Sequence, residues 1–350
     1  MAARIRVAVL MGGRSSEHDI SLASAASVIA ALDPERYEVV PITIGREGRW
    51  LLEASTRATL APGEAHPFVP ARTAGQTAVA APLDVDVVLP VLHGPFGEDG
   101  TVQGLCEILD VPYVGAGVLG SALAMDKDRC KAALRDAGIV VAPSITLRAH
   151  RDRPGDVAIA GAVAERLAYP VFVKPARLGS SVGISKVSAP GELAAALELA
   201  FRHDDKVLIE QGIVGREVEC GVLGNEAPVA SAVGEIVPHA DWYDFEAKYA
   251  AGGSDILIPA AIDAATSRRI QDTALAAFDA CELAGMARID FFLTDDGTLV
   301  LNEVNTIPGF TATSVYARLF AAVGVPYASL LDRLLELALD RHARRSRLAF

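Results

Sequence analysis

The sequence predicts an α/β protein, α+β overall, that begins with a doubly wound parallel sheet. Short β-branched runs alternate with helical segments in the first third of the chain, which is typical of a parallel sheet. Strand-rich segments with fewer helices follow, as in α+β folds. At 350 residues the chain is long enough for two or three domains.

The N-terminal elements follow in order along the chain. The β-branched residues 4–10 predict a first strand, which a Gly-Gly turn joins to a helix. Tyr37–Ile44 and residues 85–91 predict two further strands, and residues 101–109 predict a helix. Residues 46–82 are rich in Pro, Thr and Ala with little periodicity, so we expect an elaborated connection there.

The ligands of a doubly wound sheet bind at the carboxyl ends of its strands, where residues 12–17 and 93–100 fall. Residues 149–156 are polar and predict a surface loop. Further strands are expected at residues 112–115, 139–141, 169–174, 183–187 and 207–210. Further helices are expected at residues 121–137, 192–201, 265–284 and up to Arg345.

Composition disfavours several classes of protein. The net charge of −12 argues against a general nucleic-acid or anionic-membrane surface, and we expect neither partner. No apolar run reaches the roughly 18 residues of a membrane span, and the first apolar stretch has no cleavage site and reads as a strand. The cysteines are widely spaced, which predicts buried reduced thiols and a cytoplasmic protein. They are Cys106, Cys130, Cys220 and Cys281.

One glycine motif is misleading. Residues 115–120 match the dinucleotide pattern GxGxxG, and Asp136 follows at about the spacing of that motif. A ribose-binding acid must end the next strand, whereas Asp136 falls in a helical pattern. We therefore disfavour a nicotinamide or flavin site. The P-loop pattern GxxxxGK[ST] does not occur in the chain.

A C-terminal hairpin brings two acids together. Asp296-Gly297 lies between two apolar alternating runs and predicts a two-residue turn, which sets Asp290 opposite Glu303. Facing carboxylates repel unless a cation bridges them, and Mg²⁺ takes one or two carboxylates together with phosphate oxygens. An exposed edge hairpin with solvated acids is the alternative, which the apolar flanks disfavour. A one-residue slip in the turn would break the register.

A second feature indicates phosphate binding. Lys174 ends a buried strand, and residues 179–183 read Gly-Ser-Ser-Val-Gly. Such a loop lets backbone N–H groups and hydroxyls approach a phosphate closely. A strand-end lysine alone usually reaches solvent, but beside this loop and the acidic hairpin it favours a nucleotide site.

Together these segments resemble the ATP-grasp superfamily, and within it the D-alanine–D-alanine ligase family, over nearly the whole chain. The matching segments are residues 12–22, 93–100, 126–127, 174–175, 179–183, 246–249, 288–290, 302–305 and 308–309. The resemblance implies three domains, with residues 1–122 as the doubly wound substrate domain. Residues 123–217 and 218–350 would be two α+β domains that sandwich ATP.

The resemblance implies that ATP is a substrate and that two Mg²⁺ or Mn²⁺ ions accompany it. Lys127 and Lys174 would hold its phosphates, Glu210 and Ile213 would line the adenine pocket, and Glu217 would bind the ribose. The remaining nucleotide contacts would be Ser180, Ser181, Val182, Gly183 and Asn302. The implied metal ligands are Asp290, Glu303 and Asn305.

The resemblance also implies substrate contacts. Glu17, linked through Ser180 and Tyr249, would accept the ammonium of a first D-alanine. From the residues alone, Glu17 could instead be a helix N-terminal acid, Tyr249 a loop-packing residue and His93 a satisfied strand-end histidine. In the resemblance His93 lies near the substrates.

The acyl-transfer residues complete this set. Arg288 and the Gly309 N–H would stabilise an oxyanion, while Lys248 and Ser314 would hold the second D-alanine. Residues 241–258 are polar, aromatic and glycine-hinged, as a closing loop should be. The chain lacks the proline that often follows Ser314 in the family, and it carries Gly212 where a bulky adenine-linker residue is common.

The activity implied is ATP-dependent ligation of two D-alanine molecules for peptidoglycan precursors, in a cytoplasmic homodimer. D-Alanine–D-lactate ligases are a close alternative, but they tend to have histidine where this chain has Tyr249. A nucleotide-binding regulator without turnover is a remote alternative, because every implied metal ligand and phosphate lysine is present.

Overall fold

The computed structural model describes residues 3–52, 84–149, 155–238 and 254–349, which form three sheets. The first sheet has the strand order β3-β2-β1-β4, in which β1 is parallel to β2 and β4 while β3 is antiparallel to β2. The predicted parallel N-terminal sheet is therefore confirmed. Its strands are β1 (Ile5–Gly12), β2 (Tyr37–Ile44), β3 (Trp50–Leu52) and β4 (Val87–Pro90).

Two helices accompany this sheet, α1 (His18–Ala31) and α2 (Thr101–Ile108). The strand β3 was not predicted, because three residues are too few for a periodic pattern to show. The strand expected over residues 112–115 is reduced to one parallel bridge between Val88 and Tyr113.

The second sheet is antiparallel, with the order β5-β8-β6-β7. Its strands are β5 (Ser144–Arg148), β6 (Val171–Pro175), β7 (Ser185–Val187) and β8 (Lys206–Gln211). Residues 139–141 were predicted as a strand, but there Val141 forms only a single bridge with Leu301. The strand begins after Pro143, whose ring nitrogen cannot donate to a ladder.

Helices complete the middle of the chain: α3 (Val118–Met125), α4 (Lys127–Asp136), α5 (Asp156–Arg166) and α6 (Leu193–Phe201). The prediction of a single helix over residues 121–137 is wrong, because the helix is interrupted at Asp126. The Asp126 side chain accepts a hydrogen bond from the Arg129 N–H at 3.1 Å, so it caps α4. Asp136 ends α4, as the rejection of a dinucleotide site expected.

The third sheet is antiparallel with the order β11-β10-β9-β12-β13. Its strands are β9 (Arg216–Gly224), β10 (Val229–Pro238), β11 (Ser254–Leu257), β12 (Gly285–Leu293) and β13 (Leu299–Asn305). The C-terminal helices are α7 (Ala264–Ala280), α8 (Val315–Ala321) and α9 (Tyr327–Arg345). One core cluster joins the first and third sheets, because it contains Val9 of β1, Met286 of β12 and Leu331 of α9.

Two sequence predictions concern the chain as a whole. All four cysteines are buried and none forms a disulfide, which confirms the prediction of reduced thiols. Within the described ranges, no helix combines the length and apolarity that crossing a bilayer requires.

Candidate functional site

Asp290 lies opposite Glu303, as predicted, but for a different reason. Leu293 pairs with Leu299, and the Thr294 N–H donates to the Thr298 carbonyl at 3.0 Å, so the loop contains three residues rather than two. The predicted two-residue turn is therefore wrong. A β-bulge then leaves Asn302 without a partner in the ladder and restores the register.

The bulge also decides which side chains face the site. Leu301 and Val304 both lie in the core beneath the sheet, although a regular strand would point residues three apart to opposite faces. Because the bulge reverses the alternation between them, Glu303 and Asn305 join Asp290 on the other face. The acidic face of the hairpin therefore depends on one extra residue.

Arg288 is held between two carboxylates on this face. Its Nε and Nη2 donate to Asp290 at 2.8 and 2.7 Å, and its Nε lies 3.1 Å from Glu219 Oε2. Burial lowers the pKa of Arg288, but Asp290 and Glu219 outweigh it and raise the pKa well above its ordinary value. Sequence reasoning missed Glu219, because its place opposite Asp290 on β9 is a pairing between distant strands.

A buried cluster of lysines surrounds Glu210. Lys174 Nζ lies 2.6 Å from Glu210 Oε1, and Lys131 Nζ lies 2.9 Å from Glu210 Oε2. Burial alone would raise the pKa of Glu210, yet the two ammonium groups hold it below its ordinary value. Lys131 was missed, although it lies four residues after Lys127 on one helix, a spacing that places both on one face.

Lys127 extends this cluster toward the hairpin. Its Nζ donates to the Leu178 carbonyl at 2.5 Å. Burial lowers the pKa of Lys127, with Glu303 opposing that shift and Lys174 adding to it. Lys127, Lys131, Glu303 and Asn305 line one pocket together with Asn302 and Gly179, so positive and acidic groups meet there.

The loop after β6 reaches from this pocket to the first sheet. Ser180 Oγ donates a hydrogen bond to Glu17 Oε1. A Cβ on Gly179 would lie 3.1 Å from Glu17 Oε2, so only glycine fits there without displacing the carboxylate. Ser180 and Ser181 have φ values of 49° and 57°, a left-handed conformation that non-glycine residues adopt at a cost and that clusters at binding sites.

The hydrogen-bond partners of Glu17 and His93 bear on the alternative interpretations of these two residues. Glu17 is the N-cap residue of α1, but its side chain makes no capping hydrogen bond and faces Ser180 instead. His93 Nδ1 donates to the Ile307 carbonyl at 2.9 Å and Nε2 accepts from Ser24 Oγ at 3.2 Å. Burial lowers the pKa of His93, so it is a neutral histidine with both nitrogens paired, as its alternative interpretation expected.

The other predicted residues lie on several separate segments of the chain. Ser314 is the N-cap residue of α8, and its Oγ accepts from the Thr311 N–H at 3.0 Å. Gly309 lies beside it, since a Cβ there would be 3.5 Å from Ser314 Oγ. Ile213 follows β8, and Glu217 lies on β9 opposite Phe292. Ser181, Val182 and Gly183 continue the loop after Ser180, while Lys248 and Tyr249 lie outside the described residues.

The donor set suits a hard cation in part. Among the residues that the structure describes, no group of three or more His, Cys, Asp or Glu side chains could hold a metal ion. Asp290 and Glu303 supply two carboxylates, and Asn305 donates its Nδ2 to Asp290 at 2.9 Å, which leaves its Oδ1 as a possible ligand. Mg²⁺ characteristically combines so few protein oxygens with phosphate oxygens and water, so these residues fit that ion.

A parallel-sheet domain, two antiparallel sheets and a lysine–carboxylate pocket define an ATP-grasp protein, a class of ATP-dependent enzymes. Residues 6–116 match the family model described as D-ala D-ala ligase N-terminus, and residues 133–336 match the one described as D-ala D-ala ligase C-terminus. The chain belongs to the D-alanine–D-alanine ligase family.

Relatives with this name span the whole chain. A D-alanine–D-alanine ligase A of Chromobacterium violaceum is 47% identical over 97% of this chain and 96% of its own length. A D-alanine–D-alanine ligase of Deinococcus radiodurans is 49% identical over 96% of this chain and 98% of its own length.

Solved structures agree with these sequence relatives. The D-alanine–D-alanine ligase from Coxiella burnetii superposes with a TM-score of 0.83 at 36% identity and covers 99% of this chain and 97% of its own. The VanG D-Ala:D-Ser ligase from Enterococcus faecalis gives 0.82 at 37% identity, with 96% and 100% covered. The Bacillus anthracis enzyme complexed with ATP gives 0.75 at 30% identity, with 97% and 99% covered.

Proposed function

We propose that this chain joins two D-alanine molecules into D-alanyl-D-alanine at the expense of ATP, through a D-alanyl phosphate, and that the product serves peptidoglycan precursor synthesis. The observation that carries this proposal is the shared loop of residues 179–180. Gly179 lines the lysine–carboxylate pocket, and Ser180 holds Glu17. The proposed ammonium site at Glu17 would therefore adjoin the proposed phosphate site.

The first step is phosphoryl transfer. A carboxylate oxygen of the first D-alanine attacks the γ-phosphorus of ATP, the new O–P bond forms, and ADP leaves. Such reactions are accelerated mainly by positioning and by neutralising charge. Glu17 would orient the amino acid through its ammonium, while Lys127 and Lys174 would hold the phosphates.

The acidic hairpin would serve the same step. Asp290, Glu303 and the amide oxygen of Asn305 would hold two Mg²⁺ or Mn²⁺ ions, with Asn302 and Glu210 nearby. When bound, such ions neutralise charge on the phosphate oxygens. Arg288 orients Asp290 through two hydrogen bonds.

The second step forms the peptide bond. The neutral amine of the second D-alanine attacks the acyl carbon and forms the C–N bond. The nitrogen then loses a proton, the C–O bond to phosphate breaks as the tetrahedral intermediate collapses, and inorganic phosphate takes the electron pair. Arg288 and the Gly309 N–H would stabilise the oxyanion, and donors aimed at such an oxygen typically contribute about 3–4 kcal/mol each. Lys248 and Ser314 would hold the second carboxylate.

We also infer the remaining assignments from family membership. The adenine would lie at Glu210 and Ile213 and the ribose at Glu217, with Ser181, Val182 and Gly183 closing over the phosphates. His93 would lie near the substrates without binding them through its ring nitrogens, because both nitrogens are hydrogen-bonded to the protein. Residues 1–122, 123–217 and 218–350 would be the three domains of a cytoplasmic homodimer.

The second substrate is the open choice within this family, because one of the similar solved structures is a D-Ala:D-Ser ligase. The test is phosphate release from ATP with D-alanine alone, L-alanine alone, or D-alanine with D-serine or D-lactate, with products identified by mass. We expect turnover with D-alanine alone. Turnover that requires D-serine or D-lactate, or that proceeds with L-alanine alone, would contradict the proposal.

A further inference from the structure

The loop of residues 93–98 hydrogen-bonds both backbone polar groups of Ile307. The Ile307 N–H donates to Glu98 Oε1 at 2.8 Å, and its carbonyl accepts from His93 Nδ1 at 2.9 Å. The second carboxylate oxygen of Glu98 accepts from the Gly94 N–H at 2.8 Å. Glu98 is thus braced by its own loop while it holds a segment 209 residues away in sequence.

The Ile307 peptide lies midway between two residues of the proposed mechanism. Asn305 precedes it by two positions and Gly309 follows it by two. Two residues of chain span at most about 7 Å, so a displacement of Ile307 moves both neighbours. The loop of Glu98 also leads back to Glu17, since a Cβ on Gly94 would lie 2.6 Å from Glu17 Oε2.

We propose that Glu98 is a positioning residue for the ligation. Its carboxylate fixes the Ile307 peptide, and so sets the metal-facing Asn305 and the Gly309 N–H against the first substrate at Glu17. This inference rests on the proposed function. Glu98 acts on the Asn305 side chain and the Gly309 N–H through the backbone between them.

The chemistry of position 98 argues that a carboxylate is needed there. Glu98 lines the same pocket as Lys127 and Glu303. Its burial and the nearby Glu17 raise the pKa of Glu98 to about 7, whereas the N–H groups of Gly94 and Ile307 favour the carboxylate and oppose that shift. An acid in these surroundings is costly unless it is well hydrogen-bonded. A glutamine oxygen could accept from only one of the two N–H groups and would turn its own NH₂ toward the other.

Asp263 provides a matched control outside this loop. Its carboxylate also accepts from two backbone N–H groups, those of Ala265 at 2.9 Å and Thr266 at 3.0 Å. Both donors lie in the first turn of α7, so Asp263→Asn removes the same chemistry without touching residues 93–98 or the segment around Ile307. It should lower the melting temperature and leave kcat unchanged.

We expect Glu98→Gln to lower kcat roughly 10- to 100-fold, because a small displacement of reacting groups has an effect of that size. The Mg²⁺ dependence of ATP binding, measured by calorimetry without amino acid, should shift to roughly tenfold higher Mg²⁺. The Mg²⁺-independent part of ATP affinity, set by the lysines, should be unchanged. Glu98→Asp keeps both acceptor oxygens and should recover part of kcat.

The result that would overturn the inference is equal behaviour of Glu98→Gln and Asp263→Asn, with melting temperature lowered in both and kcat and Mg²⁺ dependence unchanged. If Glu98→Gln does not fold, Glu98→Met, which removes both acceptor oxygens at a similar volume, decides, and wild-type kcat with wild-type Mg²⁺ dependence in that variant would equally overturn it. Failure of the proposed function is distinguishable: the wild type would then release no phosphate with D-alanine, while calorimetry would still test Glu98.

Discussion

Ser180 Oγ donates a hydrogen bond to Glu17 Oε1, across 163 residues of sequence. This contact joins the loop after β6 of the second sheet to the N-terminus of α1, beside the parallel sheet. Because Gly179 also lines the lysine–carboxylate pocket, movement of the loop and the orientation of Glu17 are coupled. We therefore expect residues 179–180 to respond both to the first amino acid and to the nucleotide.

Ser180→Ala should weaken use of the first D-alanine. The substitution removes a hydrogen bond to a charged group, typically worth about 1.5–3 kcal/mol, so kcat/KM for D-alanine should fall roughly 10- to 100-fold. Steady-state phosphate release at saturating ATP measures this. Ser188→Ala, an exposed serine after β7, is the control and should behave as wild type. Equal kcat/KM in both variants would contradict the role of the Ser180 contact.

Lys131→Met should destabilise the protein, because Glu210 would keep only Lys174 as partner. Removing one member of a buried ion pair costs up to about 3–5 kcal/mol, and the remaining lysine should hold the loss toward the lower end. Urea unfolding measures the free energy. Adding Glu210→Gln to Lys131→Met should lower the free energy of unfolding further, because buried Lys174 would then lose its carboxylate partner. A double variant as stable as Lys131→Met would contradict this account of the cluster.

Glu219→Gln should raise the Mg²⁺ requirement. Arg288 is shared between Glu219 and Asp290, so loss of the Glu219 charge leaves Arg288 to Asp290 alone and makes that carboxylate a poorer metal ligand. We expect roughly tenfold weaker Mg²⁺ activation, the size typical of residues that orient a metal ligand.

Glu235→Gln is the control for Glu219→Gln. Glu235 forms an ion pair with Arg216 at 2.6 Å in the same sheet. It lies opposite Val218, which packs in the core, so Glu235 is on the other face of the sheet from Glu219 and Asp290. The control should therefore lose stability only. A Mg²⁺ activation curve for Glu219→Gln that overlays the wild-type curve would refute the prediction.

Asp128 should make stability depend on acid pH. Burial opposes its ionisation, but Arg129, Thr146 and Lys206 outweigh this and lower the pKa of Asp128 to about 2. A lowered pKa in the folded state contributes stability above the unfolded pKa of about 3.9, and that stability is lost as pH falls toward 2. The free energy of unfolding of the wild type, measured with urea, should exceed that of Asp128→Asn by about 2 kcal/mol near pH 7. This difference in free energy should disappear as the pH is lowered. A gap that does not change between pH 6 and pH 3 would be inconsistent with this.

Much of the fold could be predicted from local pattern. Tyr37–Ile44 and the long helices were predicted within a few residues, because buried strands and amphipathic helices repeat their apolar residues over many positions. The helix break at Asp126 and the short strand β3 were not, since a single capping side chain and a three-residue strand leave little periodic signal.

By itself the sequence determined which chemical groups are present: two acids on the strands of one hairpin, lysines beside a Gly-Ser loop, and motifs in the order of one family. Tertiary structure decided how they meet. The bulge at Asn302 places Glu303 beside Asp290, and partners distant in sequence bring Lys131 and Glu219 to their sites. The physical reason is that periodicity reports which face of its own element a residue occupies, whereas register shifts and ion pairs depend on elements packed from elsewhere in the chain.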